Sequence, residues 1–180
     1  MKTKILLFLL ANLLNIQATV IQVPQEYAIK ATFLFNFTRF VAWPEEVLKE
    51  DTPFIISIVG KDPFSNLLTS VVENEKVQGH PIVIRYYTTA AKVEPCHLLF
   101  VNLTDRNEVR DLVEKAKSWH ALTVGEQLIF ERQGGMIRFV TQQNKTKLRI
   151  NLSAAKDAGL TISSKLLNLA EIVEPKSTRP

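Results

Sequence analysis

Few residues in this sequence have the types and spacing that chemistry demands. His80, His97 and His120 stand at intervals that no metal-ligand motif uses, and Cys96 is the only cysteine. Cys96 opens the apolar run 96–101, which reads as a buried strand, so its thiol is expected to be packed and inert. A lone cysteine also rules out an intramolecular disulfide. The sequence has no Gly-x-Gly-x-x-Gly, no phosphate loop ending in Gly-Lys-Ser or Gly-Lys-Thr, and no Gly-x-Ser-x-Gly elbow. Gly134-Gly135 is read as a turn into a hairpin rather than as a ligand loop. No catalytic residue, metal ligand or cofactor is assigned, and the chain is not expected to be an enzyme.

Two other places offer binding groups. Ligands of open α/β sheets gather at the carboxyl ends of parallel strands. Those ends here are Gly60-Lys61-Asp62, Asn102-Leu103-Thr104-Asp105 and Gly125-Glu126. They are expected to cap helices and shape turns, with small-molecule binding as the alternative. The second place is the helix predicted over 27–42, which lacks Gly and Pro and stops before Pro44. At about 100° per residue, Tyr27, Phe33, Leu34, Phe37, Phe40 and Val41 share one face, expected to be core. Thr32, Phe35, Asn36, Arg39 and Trp43 fall on the opposite side. Large aromatics beside an arginine are the residue types that anchor protein interfaces. Phe35, Arg39 and Trp43 are therefore expected to face outward and contact a partner. The competing expectation is that another helix or loop covers the two aromatics.

The elements that position these residues follow a strand–helix rhythm. Strands are expected at 54–59, 82–87, 96–101 and 121–124. Helices are expected at 63–72 behind Asp62, at 105–117 with Val109, Leu112, Val113 and Ala116 inward, and at 125–132. Segments 136–140 and 146–150 alternate apolar and charged residues around a polar turn and read as a hairpin. A short helix capped by Ser153 and closed by Gly159 comes next. A last helix from Ser163 or Ser164 packs Leu166, Leu167, Leu169, Ala170 and Val173. This order predicts a three-layer α/β sandwich, with a mainly parallel sheet, helices on both faces and an antiparallel C-terminal hairpin. One domain is expected over 19–180, with its core at about 25–173.

The first residues look like a leader. Lys2 and Lys4 precede the apolar run 5–14, which falls short of the roughly 20 residues that span a bilayer, and the small residue Ala18 follows. Residues 1–18 are read as a cleaved signal peptide. Nothing later is apolar enough to span, so the mature protein is expected to be soluble and exported. Without the two leader lysines, 20 basic residues face 18 acidic ones, a balance of +2. No charge block or arginine–aromatic interleaving favours nucleic acid.

Several stretches resemble the YfiR/HmsC family of periplasmic regulators. They are Glu26-Tyr27-Ala28-Ile29-Lys30-Ala31 with 35–44, Ile58-Val59-Gly60-Lys61-Asp62-Pro63-Phe64, and Cys96-His97-Leu98-Leu99-Phe100-Val101. Ala121-Leu122-Thr123-Val124-Gly125-Glu126, Gly134-Gly135-Met136-Ile137-Arg138-Phe139 and 150–167 complete the series. The resemblance implies a periplasmic protein, often dimeric. Its implied role is to restrain a membrane-bound diguanylate cyclase and thereby cyclic-di-GMP signalling and biofilm formation, with no catalytic residues. The single cysteine departs from members controlled by internal disulfides. A periplasmic small-molecule binding protein is the alternative. N-terminal sequencing of the exported protein is expected to start near Thr19; an intact Met1 would overturn the leader.

Overall fold

A sixteen-residue stretch without Gly or Pro forms helix α1 (Gln25–Phe40), the first of the described elements. The computed structural model describes residues 25–173 except 129 and 144; the expected leader 1–18, the mature start near Thr19 and the tail from 174 lie outside the described residues. The helix stops at Phe40, short of the expected end at 42, and β1 (Val41–Ala42) follows directly. The chain continues through β2 (Phe54–Gly60), α2 (Leu67–Val72), β3 (Lys76–Val77), β4 (His80–Tyr87) and β5 (Leu98–Asn102). Then come α3 (Arg106–Lys117), β6 (Leu122–Gly125), a 3-10 turn (Phe130–Gln133), β7 (Ile137–Gln142) and β8 (Lys145–Asn151). The last elements are α4 (Leu152–Asp157), β9 (Thr161–Ile162), α5 (Ser164–Leu167) and β10 (Ala170–Val173).

The sheet order is β10-β8-β7-β6-β5-β2-β4-β3, while β1 and β9 form a separate antiparallel ribbon. β4, β2, β5, β6 and β7 run parallel, and β7 and β8 form the antiparallel hairpin. Two apolar layers sandwich the sheet. On one side Phe37, Phe54, Phe64 and Phe100 are fully buried under α1 and α2, with Ala155 of α4 and Leu166 of α5 in the same cluster. On the other side Val59, Leu99 and Val101 meet α3 through Val109, Leu112 and Val113, and the 3-10 turn through Phe130. The inward residues expected for α3 are the buried ones. Gly125 and Gly135 flank Phe130 so closely that an added Cβ would lie 2.8 and 2.3 Å from its ring. That approach, with Gly134 at φ +92°, accounts for the glycine pair as packing and turn.

Four local expectations are corrected. The helix expected at 125–132 is a bend leading into the 3-10 turn, because Gly125 completes β6 and Phe130 must enter the core. The helix expected from 63 starts at Leu67; Asp62 instead accepts the Phe64 N–H in a turn. Asn151, not Ser153, caps α4, accepting from Ala154 N–H while the Ser153 hydroxyl donates to Asn151. The last helix stops after Leu167, and Ala170–Val173 becomes β10, parallel to β8. The sheet therefore extends one strand beyond the hairpin, with Glu171 paired to Arg149 at 3.1 Å.

Burial pushes the Cys96 thiol up to about 12, so it stays protonated and unreactive. Its neighbour His97 is a structural joint. The Ile55 N–H donates to His97 Nδ1 at 2.8 Å, which fixes the proton on Nε2, 3.4 Å from the Val47 carbonyl. Burial lowers the His97 pKa below 6.5, opposed in part by the Val47 carbonyl. A depressed histidine pKa means that the unfolded chain takes up the proton first. This contribution to stability is complete above about pH 6.5 and lost as pH falls through the folded-state value. Resistance to denaturant is expected to fall below that pH, and less so in His97→Asn, which keeps an acceptor for Ile55 but does not titrate. An unchanged slope in the variant would remove His97 from the effect.

Candidate functional site

Phe35, Arg39 and Trp43 gather at the C-terminal end of α1, but they do not form an outward aromatic face. Phe35 is 6 % exposed and Trp43 is 8 % exposed. Periodicity assigned them to the far side of α1, yet that side is covered. Phe35 joins the cluster of Leu68 and Val72 from α2, and Trp43 packs edge-on against Phe54 at 5.1 Å. The Trp43 indole donates to the His97 carbonyl at 3.1 Å. Of the three, Arg39 alone is exposed. Its guanidinium lies 4.7 Å from the centre of the Phe35 ring and pairs with Glu75 at 3.4 Å. The ring thus acts as a platform that fixes where the cation stands.

Arg39 borders a groove of about 400 Å³ between the end of α1, the β1–β9 ribbon and the β3–β4 turn. Lys76 adds a second cation, and Thr38, Gln78, Thr161 and Ser163 add polar groups. The groove lies toward the amino ends of the parallel strands, because the turn precedes His80, whose Nδ1 meets the Thr52 carbonyl just ahead of β2. It suits an anionic or hydrogen-bonding surface of another molecule.

At the carboxyl ends of the strands Asn102, Asp105 and Glu126 are engaged internally, while the Lys61 side chain is exposed with no ion pair among the described residues. The Asn102 amide donates to the Lys61 carbonyl at 2.6 Å, and Asp105 accepts from the Asn107 and Glu108 N–H groups at the start of α3. Gly60, at φ +92°, lies so close to Asn102 that a Cβ would fall 2.0 Å from its carbonyl oxygen. Glu126 is engaged differently. It pairs with Lys30 at 3.0 Å, and Lys30 also pairs with Glu26. Lys30 is only 3 % exposed; burial alone would lower its pKa, but the hydrogen bonds from its ammonium to Glu26 and Glu126 raise it. The hydrogen bond from Lys30 holds the Glu26 carboxyl below the usual range, with a second from Thr141. Burial raises the Tyr27 pKa, and the Glu126 charge adds to it. Sequence reading missed this cluster, although a lysine four residues before Leu34 on the apolar stripe of α1 was a signal that it had a buried partner.

A second charged group was also missed. Glu131, 8 % exposed, pairs with Arg138 at 2.8 Å and Arg149 at 3.1 Å. Among the described residues, no three His, Cys, Asp or Glu side chains converge as a metal site requires. Nor is any helix there long and apolar enough to cross a membrane.

The chain is a mostly parallel α/β sandwich with Asp105 and Glu126 engaged at the strand ends, and with Arg39 and Lys76 beside a groove at the other end. The chain belongs to the YfiR/HmsC-like family (DUF4154), which matches residues 27–171 and is a family of periplasmic regulators of cyclic-di-GMP signalling. Among solved structures it is similar to a conserved domain protein of Vibrio cholerae O1 biovar eltor, with 13% identity and a TM-score of 0.54, covering 81% of this chain and 59% of that one. It is also similar to an ABC domain from Streptococcus pneumonia in complex with L-Trp, with 12% identity and a TM-score of 0.52, covering 81% and 60%. The chain thus spans about three fifths of each, and at these identities the likeness is one of fold. None of the curated proteins matches the sequence.

The Phe35–Arg39 pair separates support from contact. Phe35→Ala is expected to cost roughly 3–5 kcal/mol of stability by emptying a core site. Arg39→Ala loses an exposed ion pair and is expected to cost less than about 1 kcal/mol. Thermal and denaturant unfolding of the two variants checks this, and near-parental stability of Phe35→Ala would contradict its burial.

Proposed function

We propose that this chain is a periplasmic, non-catalytic regulator that restrains a membrane-bound diguanylate cyclase, thereby lowering cyclic-di-GMP and biofilm formation. The observation that carries the reading is the family match across nearly the whole described domain. The groove at the end of α1 supports it, since Arg39 stands exposed on a rigid aromatic platform where a partner can meet it. In this reading Arg39 makes the contact, while Phe35 and Trp43 hold the surface in shape. A homodimer through the same end of the molecule is compatible with the face but is not required by it. The test is complementation of a deletion strain, with cyclic-di-GMP measured directly. The parental protein is expected to lower the nucleotide. Arg39→Glu should be exported and folded yet lose about tenfold or more in partner affinity, as a truncated interface anchor does. Unchanged cyclic-di-GMP on deletion would defeat the reading.

A second reading is favoured by the fold likeness to a domain solved with L-Trp bound. In it, the chain binds a small polar molecule. Calorimetric titration of the mature protein with L-Trp and other amino acids decides it: saturable binding with no change of cyclic-di-GMP on deletion would favour this alternative.

A further inference from the structure

The sheet ends on one side in β3, which covers only the first two residues of β4: Val77 pairs with His80 and Lys76 with Pro81. From Ile82 to Tyr87, β4 is paired with β2 on its inner side. Among the described residues, no main-chain bond from a turn or loop reaches its outer side. Natural sheets blunt such edges with charge, proline or bulges. Here the one proline sits at the covered end. The open stretch Ile-Val-Ile-Arg-Tyr-Tyr carries a single charge, Arg85, already bound to Glu94 at 2.8 Å.

Beside this edge lies a groove of about 590 Å³, within the range of roughly 300–1,000 Å³ typical of binding sites. Ile82, Ile84 and Tyr86 line its strand side, and Thr69, Val72 and Glu73 line the side of α2. Tyr86 is 49 % exposed. Side chains alternate along a strand, so these three share the groove face while Val83, Arg85 and Tyr87 point to the other.

We propose that this groove receives an extended segment of the protein's partner, which adds as a further strand to the open edge of β4. Main-chain hydrogen bonds supply the attachment, and apolar side chains at alternate positions settle on Ile82, Ile84 and Tyr86. Glu73, at the α2 side, is exposed and takes part in no ion pair among the described residues, while the groove's lysine, Lys76, lies at the β3 end, so the segment carries a basic residue at the α2 side. A second copy of this chain is a poorer occupant, since the groove-facing side chains of its own β4 offer no cation to Glu73. Glu75, at the rim, is the residue that holds Arg39, so strand and groove are continuous with the face described above. The inference rests on the partner-binding reading for the nature of its occupant, not on the partner's being a cyclase.

The probe is a set of labelled seven-residue peptides with valine, isoleucine or phenylalanine at alternate positions and lysine or glutamate at the ends, titrated onto the mature protein by fluorescence anisotropy. Saturable binding of lysine-ended peptides is expected, weakened at least about tenfold by glutamate ends, by N-methylation of alternate peptide nitrogens, or by Tyr86→Lys. Tyr86 is half exposed, so this variant should unfold like the parent. The inference is overturned if no peptide saturates, or if N-methylation and Tyr86→Lys are without effect. It is also overturned if the protein alone is a dimer that Tyr86→Lys dissociates, which would give the edge to a second copy. Loss of cyclic-di-GMP control in Arg39→Glu alongside absent peptide binding would leave the functional reading standing and remove this one alone.

Discussion

The fold depends on how His97 closes the amino end of the sheet. Its N–H donates to the Ile55 carbonyl at 3.0 Å, and its Nδ1 accepts from the Ile55 N–H, so one residue makes two bonds at the start of the β5–β2 ladder. Its carbonyl accepts from the Leu122 N–H at 2.9 Å, which sets β6, and from the Trp43 indole, which sets the exit of α1. Its ring stacks on Phe54 at 4.7 Å. Buried donors and acceptors without partners cost roughly 1–3 kcal/mol each, so a residue whose main chain and ring together satisfy several at one point constrains every element attached to it. Here it fixes α1 over the sheet, and therefore the position of Arg39.

The far end of α1 is held by charge. Lys30 lies between Glu26 and Glu126, and the Glu131 group joins β7, β8 and β10 through Arg138, Arg149 and Glu171. Buried pairs add little net stability over a well-packed apolar substitute, because each charge is first stripped of water. Removing one partner alone is different and typically costs about 3–5 kcal/mol, since the other is stranded. Such pairs therefore discriminate between arrangements more than they stabilise one. Lys30 meets Glu126 only if α1 lies across the end of β6, and Glu171 meets Arg149 only if β10 is in register.

That division explains what was legible in the sequence. The strand–helix alternation and the inner face of α3 were readable, because α3 has a clear contrast between Val109, Leu112, Val113 and Ala116 and its charged remainder. The orientation of α1 was not. A single apolar face assumes one covering surface, whereas α1 is covered by the sheet on one side and by α2 on another, so Phe35 and Phe37 are both buried. Arg39 remained a legible surface residue, but its aromatic neighbours proved to be its support. β10 was hidden for a different reason. Leu166 to Val173 is apolar enough for a helix, and the choice of strand is made by pairing with β8, a partner twenty-two residues away that local propensity does not register.

The same reasoning places the surface available for binding. Open α/β sheets commonly hold ligands at the carboxyl ends of their strands, where loops leave a crevice. In this chain the crevice between β2 and β5, the point where strand order reverses, is closed by Gly60 against Asn102 and by the Asn102–Lys61 bond. Next to it, Glu126 is neutralised by a buried lysine. Of the polar groups that a ligand would use there, Asn102, Asp105 and Glu126 are already engaged by the protein, while the Lys61 side chain stays exposed. At the amino end the reverse holds: Lys76 takes part in no ion pair among the described residues, Arg39 has only an exposed partner, and the ribbon and turn around them leave an open groove. An exposed pair of this kind is worth about 1 kcal/mol or less and is readily exchanged for another anion. The groove at that end, where Arg39 and Lys76 stand exposed, is the surface that the proposed reading gives to a partner.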